Sequence, residues 1–244
     1  MNHERLQEAV SQFFGFSHLE VQSRFQLYHE LHVSKEYARL LGETKTLSFE
    51  ESFIILMCLV YATKIGFSVE AIVEIGTQFG KSARRLIDIK THLQLHSKLI
   101  CYDVHNEVRF FDPSEAVLLE KDITDDVESA ITLKYASGLV FLDARPYKLI
   151  ENVVRAVTKS NNWILVIHDC TRGLCKPNMA IDRSSLNISS TTGVWERHVL
   201  AEVFGFEHPL SKKLDRFSTT ELEVCIFETQ HGLCVILPKS LPLK

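Results

Sequence analysis

The 244-residue chain has no excess of charge of either sign, no paired-cysteine motif and no long apolar run. Its 27 basic and 31 acidic residues leave a formal net charge of −4. That balance supplies no electrostatic footprint for nucleic acid or for an anionic membrane. Six cysteines (Cys58, Cys101, Cys170, Cys175, Cys225 and Cys234) are scattered, and none has CxxC spacing. A structural zinc needs four ligands, and Cys170 and Cys175 lack local partners for one. Thiols placed in apolar patterns lead us to expect a reduced, cytoplasmic protein. The longest apolar run, "FIILMCLVYA", is too short to span a bilayer. The opening "MNHERLQEAV" has no charged-then-apolar signal pattern, so no membrane partner is expected. There are no repeats and no low-complexity tract.

What is present is ordinary in bulk, with 45% apolar and 24% charged residues, enough for one α/β domain. Residues 1–68 read as a helical cover belonging to the same domain. "LQEAVSQFFGF" and "RFQLYHELHVSKEYARLLG" are amphipathic with glycine stops. "SFEESFIILMCLVYATKIG" is the clearest helix: Ser48 can cap it while Glu51 reaches back, with Leu47 as the staple. From Val69 to the end, short apolar runs alternate with helical patterns. "AIVEIG", "KLICYDV", "EAVLLEKD", "GLVFLDA" and "WILVIHDC" are separated by crossover segments, including a helix expected through "DDVESAITLKY". This rhythm predicts an α/β fold with a doubly wound, mostly parallel sheet. "TTGVWERHVLAEVFGF" predicts a further helix, and "LEVCIFETQHGLCVILPK" an antiparallel pair of strands. The irregular stretch 171–192 follows the fifth strand, where open α/β sheets bind ligands, and it is expected to be the substrate lid.

The stretch "IVEIGTQFGKSARRLI" decides the ligand class. It is not a Walker A loop, because three residues rather than four separate Gly76 from Gly80-Lys81-Ser82. It is not a dinucleotide fingerprint either, since Gln78 stands where the second glycine is needed. What remains is an acid at the strand end, Glu74, before a turn through Gly76 and Gly80. A carboxylate there would repel phosphates and could pair with an ammonium, which suits the α-amino group of S-adenosylmethionine. The plainer reading is a polar strand end followed by a glycine turn. Asp103 ends the next strand, where it could accept both ribose hydroxyls, and Asp122 follows the third strand near an adenine amino group. Three acids at successive strand ends make a coherent adenosyl site.

With "VEIGTQFGKS", "CYDV", "LVFLDARPY" and "LVIHDC", the chain resembles the class I S-adenosylmethionine-dependent methyltransferases. Within that class it is similar to small-molecule O-methyltransferases of the catechol, macrocin and cephalosporin-hydroxylase-like type. The resemblance covers about residues 69–240 and implies a seven-stranded Rossmann-like sheet whose last strand is inserted antiparallel. It also implies a cofactor set of Glu74, Gly76, Thr77, Gly80, Ser82, Asp103, Asp122 and Asp143.

Asp143 and Asp169 end strands four and five, so both point into one crevice. Each could be a helix or turn cap; each could equally hold a divalent cation, magnesium or manganese, through hard oxygen ligands. In the metal-dependent relatives an acid after strand four and a pair after strand five bind the ion. Asp143, Asp169 and Cys170 occupy those positions here, and a thiol is a poor partner for magnesium. His168 reads either as a core histidine or as a general base, although simple alternation would send His168 and Asp169 to opposite faces. Catalytic roles are therefore expected at His168, Asp143 and Asp169. Arg145, Tyr147 and Lys148, with Arg172, Lys176 and Arg183, are candidate acceptor contacts or solvated loop charges. One of Trp195, Glu196, Arg197 and His198 is expected to face the pocket. The expected activity is methyl transfer to an oxygen of a small-molecule acceptor, assisted by a divalent metal. A metal-free enzyme with a histidine base and a non-catalytic binding protein of the same fold stand as alternatives. Apolar faces on the N-terminal helices permit a homodimer as well as packing on their own sheet.

Overall fold

The computed structural model describes residues 2–32, 47–175 and 195–239. Helices α1 (His3–Phe14) and α2 (His18–His32) come first. Asn2 caps α1 by accepting a hydrogen bond from the Arg5 amide at 2.9 Å, and Gly15 ends it in the left-handed region. Leu6, Val10 and Phe14 form the buried stripe of α1, and Val21, Phe25 and Tyr28 that of α2. Much of the expected helix over 24–42 lies outside the described residues.

Helix α3 (Phe49–Lys64) carries the expected capping box. The Glu51 amide donates to Ser48 Oγ at 3.2 Å, and the Ser48 amide donates to Glu51 Oε2 at 2.8 Å. Eleven of its sixteen residues are buried, so the helix is covered nearly all round. It packs against α1 and α2 and shares one apolar cluster with them and with the sheet.

The sheet has strands β1 (Ala71–Ile75), β2 (Lys98–Asp103), β3 (Val117–Glu120), β4 (Gly138–Leu142), β5 (Trp163–Ile167), β6 (Arg216–Ser218), β7 (Leu222–Phe227) and β8 (Leu233–Pro238). Their order is β3-β2-β1-β4-β5-β8-β7-β6. Strands β1 to β5 are parallel, and β8 runs antiparallel between β5 and β7. The expected seven strands are therefore joined by an eighth. β6 pairs antiparallel with β7 at the edge; three residues are too few to show an alternation.

Helices α4 (Lys81–His92), α5 (Tyr147–Ser160) and α6 (Glu196–Phe204) complete the layers. The helix expected over 125–135 is instead a π-helical turn, Glu128–Thr132, with Ala130 and Ile131 as its buried residues. Along β1, β4 and β5, Ile72, Leu139, Phe141, Ile164 and Val166 join the α1–α4 side, whereas Val73, Val140, Leu142, Leu165 and Ile167 join the α5–α6 side. Asp143 and His168 continue in step with Phe141 and Val166, so both leave the sheet toward α3. No helix among the described residues is long and apolar enough to cross a membrane.

Candidate functional site

The strand order reverses between β1 and β4, and a cavity of about 720 Å³ opens at the carboxyl ends of the strands there. Both its position and its size suit a small-molecule ligand. Gly76, Asp103, Asp122, Asp143, His168 and Asp169 line it, together with Arg145, Leu174 and His231.

Gly76 is required by packing as much as by its φ of 91°. A Cβ there would lie 2.1 Å from the Asp143 carbonyl oxygen. Its amide donates to the Tyr102 carbonyl, and the Asp143 amide donates to the Ile75 carbonyl, so the turn is tied to both flanking strands. Gly80, at φ 83°, opens α4. A Cβ on it would meet the Phe111 ring at 2.8 Å, so Phe111 and Val108 occupy the space that the sequence reading left for a ligand.

Glu74, Thr77, Gly80 and Ser82 sit behind the turn rather than on the cavity wall. Glu74 is fully buried, with no well-formed hydrogen bond to either carboxylate oxygen among the described residues; Thr77 Oγ1 is in the same state. Burial pushes the Glu74 carboxyl up to about 7, partly offset by Ser82, Thr77 and Cys101 around it. Asp103 is on the wall: its Oδ2 accepts from the Gln78 amide at 2.6 Å and its Oδ1 from the His105 amide at 3.0 Å. Two of its four lone-pair sites are thereby used, and the rest remain for a ligand diol. Asp122 Oδ1 accepts from the Thr124 amide at 2.8 Å. A turn closed to any side chain and an oriented acid after β2, both on the cavity wall, fit the adenosyl cofactor, whereas Glu74 lies behind the turn among Ser82, Thr77 and Cys101.

The floor of the cavity is a nest of charge. His168 Nδ1 lies 3.3 Å from Asp143 Oδ1 and 3.4 Å from Asp169 Oδ1, and its Nε2 lies 3.5 Å from Glu51 Oε2. These are ion pairs; neither ring nitrogen is aligned for a hydrogen bond. Burial alone would lower the His168 pKa, but Asp143 and Glu51 outweigh it and raise it to about 11. Asp169 takes the left-handed conformation, φ 60°, which swings its side chain to the His168 side in spite of strand alternation. Burial raises its pKa, while Arg145 Nη2 pairs with its Oδ2 at 3.0 Å.

Cys170 does not join this group. Its thiol is fully buried in the α5–α6 cluster, within 3.6 Å of the Ile167 and His168 carbonyls, and burial pushes its pKa well above the usual thiol value. The third metal position expected there is corrected on that ground: the side chain points into the core. Its backbone matters more. The Cys170 amide donates to the Gly232 carbonyl and the Thr171 amide to the His231 carbonyl, which zips the end of β5 to the β7–β8 turn.

Two residues, Glu51 and His231, reach the site without having been assigned to it, and Glu196, one of the four named for the pocket, lies close to its acids. Glu51 was legible only as a cap and His231 only as part of a turn. Glu196, 3% exposed with Oε2 unpartnered among the described residues, is pushed by burial to about 8, with Asp169 and Asp143 adding to the shift. Arg197 turns away from the cavity. Fully buried, it donates to the Cys170, Pro209 and Ser211 carbonyls and pairs with Asp215 at 2.8 Å. Tyr147 donates to Glu202 and Lys148 pairs with Asp125, while Arg172 pairs with Asp215. Of the expected lid only 171–175 is described, with Leu174 on the cavity wall; Lys176 and Arg183 lie outside the described residues.

A parallel sheet of this order with one inserted antiparallel strand, closing on a glycine turn and strand-end acids, defines the class I methyltransferase fold. A solved structure of that fold supports the assignment. The O-methyltransferase TomG from Streptomyces achromogenes, involved in tomaymycin synthesis and bound to S-adenosylmethionine, superposes with a TM-score of 0.52 at 14% identity over 89% of this chain and 90% of its own. The S-adenosylhomocysteine-bound methyltransferase PaMTH1 of Podospora anserina matches at 14% identity over 89% and 87%, with a TM-score of 0.45. CalS11, a TDP-rhamnose 3'-O-methyltransferase of calicheamicin biosynthesis, matches at 11% identity over 91% and 95%, with a TM-score of 0.46. No protein-family model and no curated protein matches the sequence.

Proposed function

We propose that the protein is an S-adenosylmethionine-dependent methyltransferase acting on an oxygen of a small-molecule acceptor, with a divalent cation held by Asp143 and Asp169. The observation that carries this reading is the convergence of Gly76, Asp103, Asp143 and Asp169 on one cavity at the switch point of the sheet. The cofactor supplies a methyl group already activated on a sulfonium, so the chain's task is orientation and removal of one proton. Asp103 and Asp122 hold the adenosine, and Gly76 lets the chain turn beneath it. A hard cation on Asp143 and Asp169 would supply chelation of two vicinal acceptor oxygens. A cation there would lower the pKa of the acceptor hydroxyl, and its proton would leave to water in the open cavity. His168 keeps its own proton at neutral pH, which weighs against the metal-free reading with a histidine base. Arg145, half exposed beside Asp169, is placed to meet an anionic part of the acceptor.

Calorimetric titration of chelator-treated protein with S-adenosylmethionine, with and without magnesium or manganese, tests the proposal. Asp103→Ala is expected to weaken cofactor binding roughly tenfold to a hundredfold, the scale of one charge-assisted hydrogen bond. Asp143→Asn is expected to spare cofactor binding and to remove the metal signal. No cofactor binding by the wild-type protein would overturn the reading.

A further inference from the structure

Glu51, His168 and His231 come from α3, the end of β5 and the β7–β8 turn, and they meet where His168 and His231 line the cavity, with Glu51 buried behind them. Glu51 Oε2 lies 3.5 Å from His168 Nε2 and 3.4 Å from His231 Nδ1, and the two imidazole rings are 4.9 Å apart between centroids. One ligand atom from each falls within 4.8 Å of the other two. Ligands 2.0–2.1 Å from a tetrahedral ion are themselves roughly 3.3 Å apart, which matches the two measured edges.

The surroundings are already arranged as an outer shell. Glu51 Oε1 accepts from Thr229 Oγ1 at 2.8 Å and from the His231 amide at 3.1 Å, while Oε2 accepts from the Ser48 amide at 2.8 Å and faces His231 Nδ1 and His168 Nε2. Oε2 thus faces both rings, and an ion between them would replace these two contacts with coordination. His168 is 8% exposed with neither ring nitrogen in a well-formed hydrogen bond among the described residues, a costly state for a buried imidazole. Its Nδ1 faces Asp143 and Asp169, which hold a proton there, and an ion bound between His168 and Glu51 would displace the proton on Nε2. A carboxylate orienting a ligating imidazole from behind is the usual support for a bound transition ion. His168 and His231 both line the cavity, which provides an entry path and an open fourth position.

We infer that Glu51 Oε2, His168 Nε2 and His231 Nδ1 form a binding site for a borderline divalent transition ion of the zinc or cobalt type. Two nitrogens and one oxygen favour such an ion over magnesium. The site uses ligand atoms other than those of the Asp143–Asp169 pair, which it meets through His168, and does not rest on the methyl-transfer reading.

The test is titration of the chelator-treated, full-length protein with cobalt, read by the visible bands of tetrahedral coordination, followed by competition with zinc and with magnesium. One equivalent of cobalt is expected to bind, to be displaced by zinc and to resist magnesium. Glu51→Gln and His231→Ala should each weaken binding at least a hundredfold, and Asp143→Asn roughly tenfold through loss of orientation. Because Glu51 also caps α3, His231→Ala is the deciding variant, with thermal melts showing that it folds. Absence of cobalt and zinc binding, or binding that survives His231→Ala, would overturn the inference: a protonated His168 would then satisfy the carboxylates unaided. Cobalt binding without S-adenosylmethionine binding would uphold this site while removing the methyl-transfer reading.

Discussion

At the start of α6 the fold holds Glu196 buried beside Asp169 and Asp143, and burial raises its pKa from 4.5 to about 8. A folded-state pKa above the unfolded value means that the native state binds the proton more tightly. The resulting contribution to stability is complete below pH 4.5 and is lost as the pH climbs toward about 8. Glu196→Gln removes this dependence. The variant should match wild type near pH 4.5 and exceed it by a few kcal/mol, on the order set by the shift, above pH 8. Urea midpoints across that range check it; a difference independent of pH would contradict the buried-carboxyl account. The sequence places Glu196 among four pocket candidates without choosing between them. Asp143, His168 and Asp169 could be named because each ends an apolar run, so the strand itself indicates where the side chain goes. Glu51, Glu196 and His231 end no strand. Their place depends on which helix and which turn are folded over the crevice, and that is tertiary information absent from local spacing.

Arg197 determines how the irregular chain after β5 is anchored. It is fully buried on α6, and its guanidinium reaches three backbone carbonyls and the Asp215 carboxylate, joining the end of β5 to residues 209–215. Arg197→Ala would leave those carbonyls and Asp215 without their donor, and the expected loss is about 3–5 kcal/mol. Lysine cannot reproduce the fork, so Arg197→Lys should recover only a minor part of it. Equilibrium unfolding in urea measures both, and a loss below about 1 kcal/mol would show that water replaces the guanidinium here. Elements with strong period were legible: the capping box of α3, the five parallel strands and the antiparallel closing pair all lie where the pattern put them. Two were not. Residues 125–135 have helix-compatible composition, yet only the π-helical turn Glu128–Thr132 forms, and β6 has three residues and no readable alternation.

On the scale of the whole molecule, the N-terminal helices and the sheet share one buried apolar cluster. α3 is apolar nearly all round, so it needs cover beyond what the sheet supplies. Leu6, Val10 and Phe14 of α1 and Val21 and Phe25 of α2 belong to the same buried cluster as Phe53, Ile72, Phe141 and Val166. Glu51, at the head of α3, is the carboxylate that meets His168 and the β7–β8 turn. Removing residues 1–32 would therefore expose the outer face of α3 and free the end that carries Glu51. Each large apolar side chain uncovered costs roughly 1.5–3 kcal/mol, and losing the five named above exceeds the 5–15 kcal/mol that stabilises a typical domain, or consumes most of it. The full chain should unfold in one cooperative transition, and the 33–244 fragment should show none and bind an apolar dye. A fragment that melts cooperatively and still binds S-adenosylmethionine would mean that the helices are a separable cover and that Glu51 is held by the sheet alone.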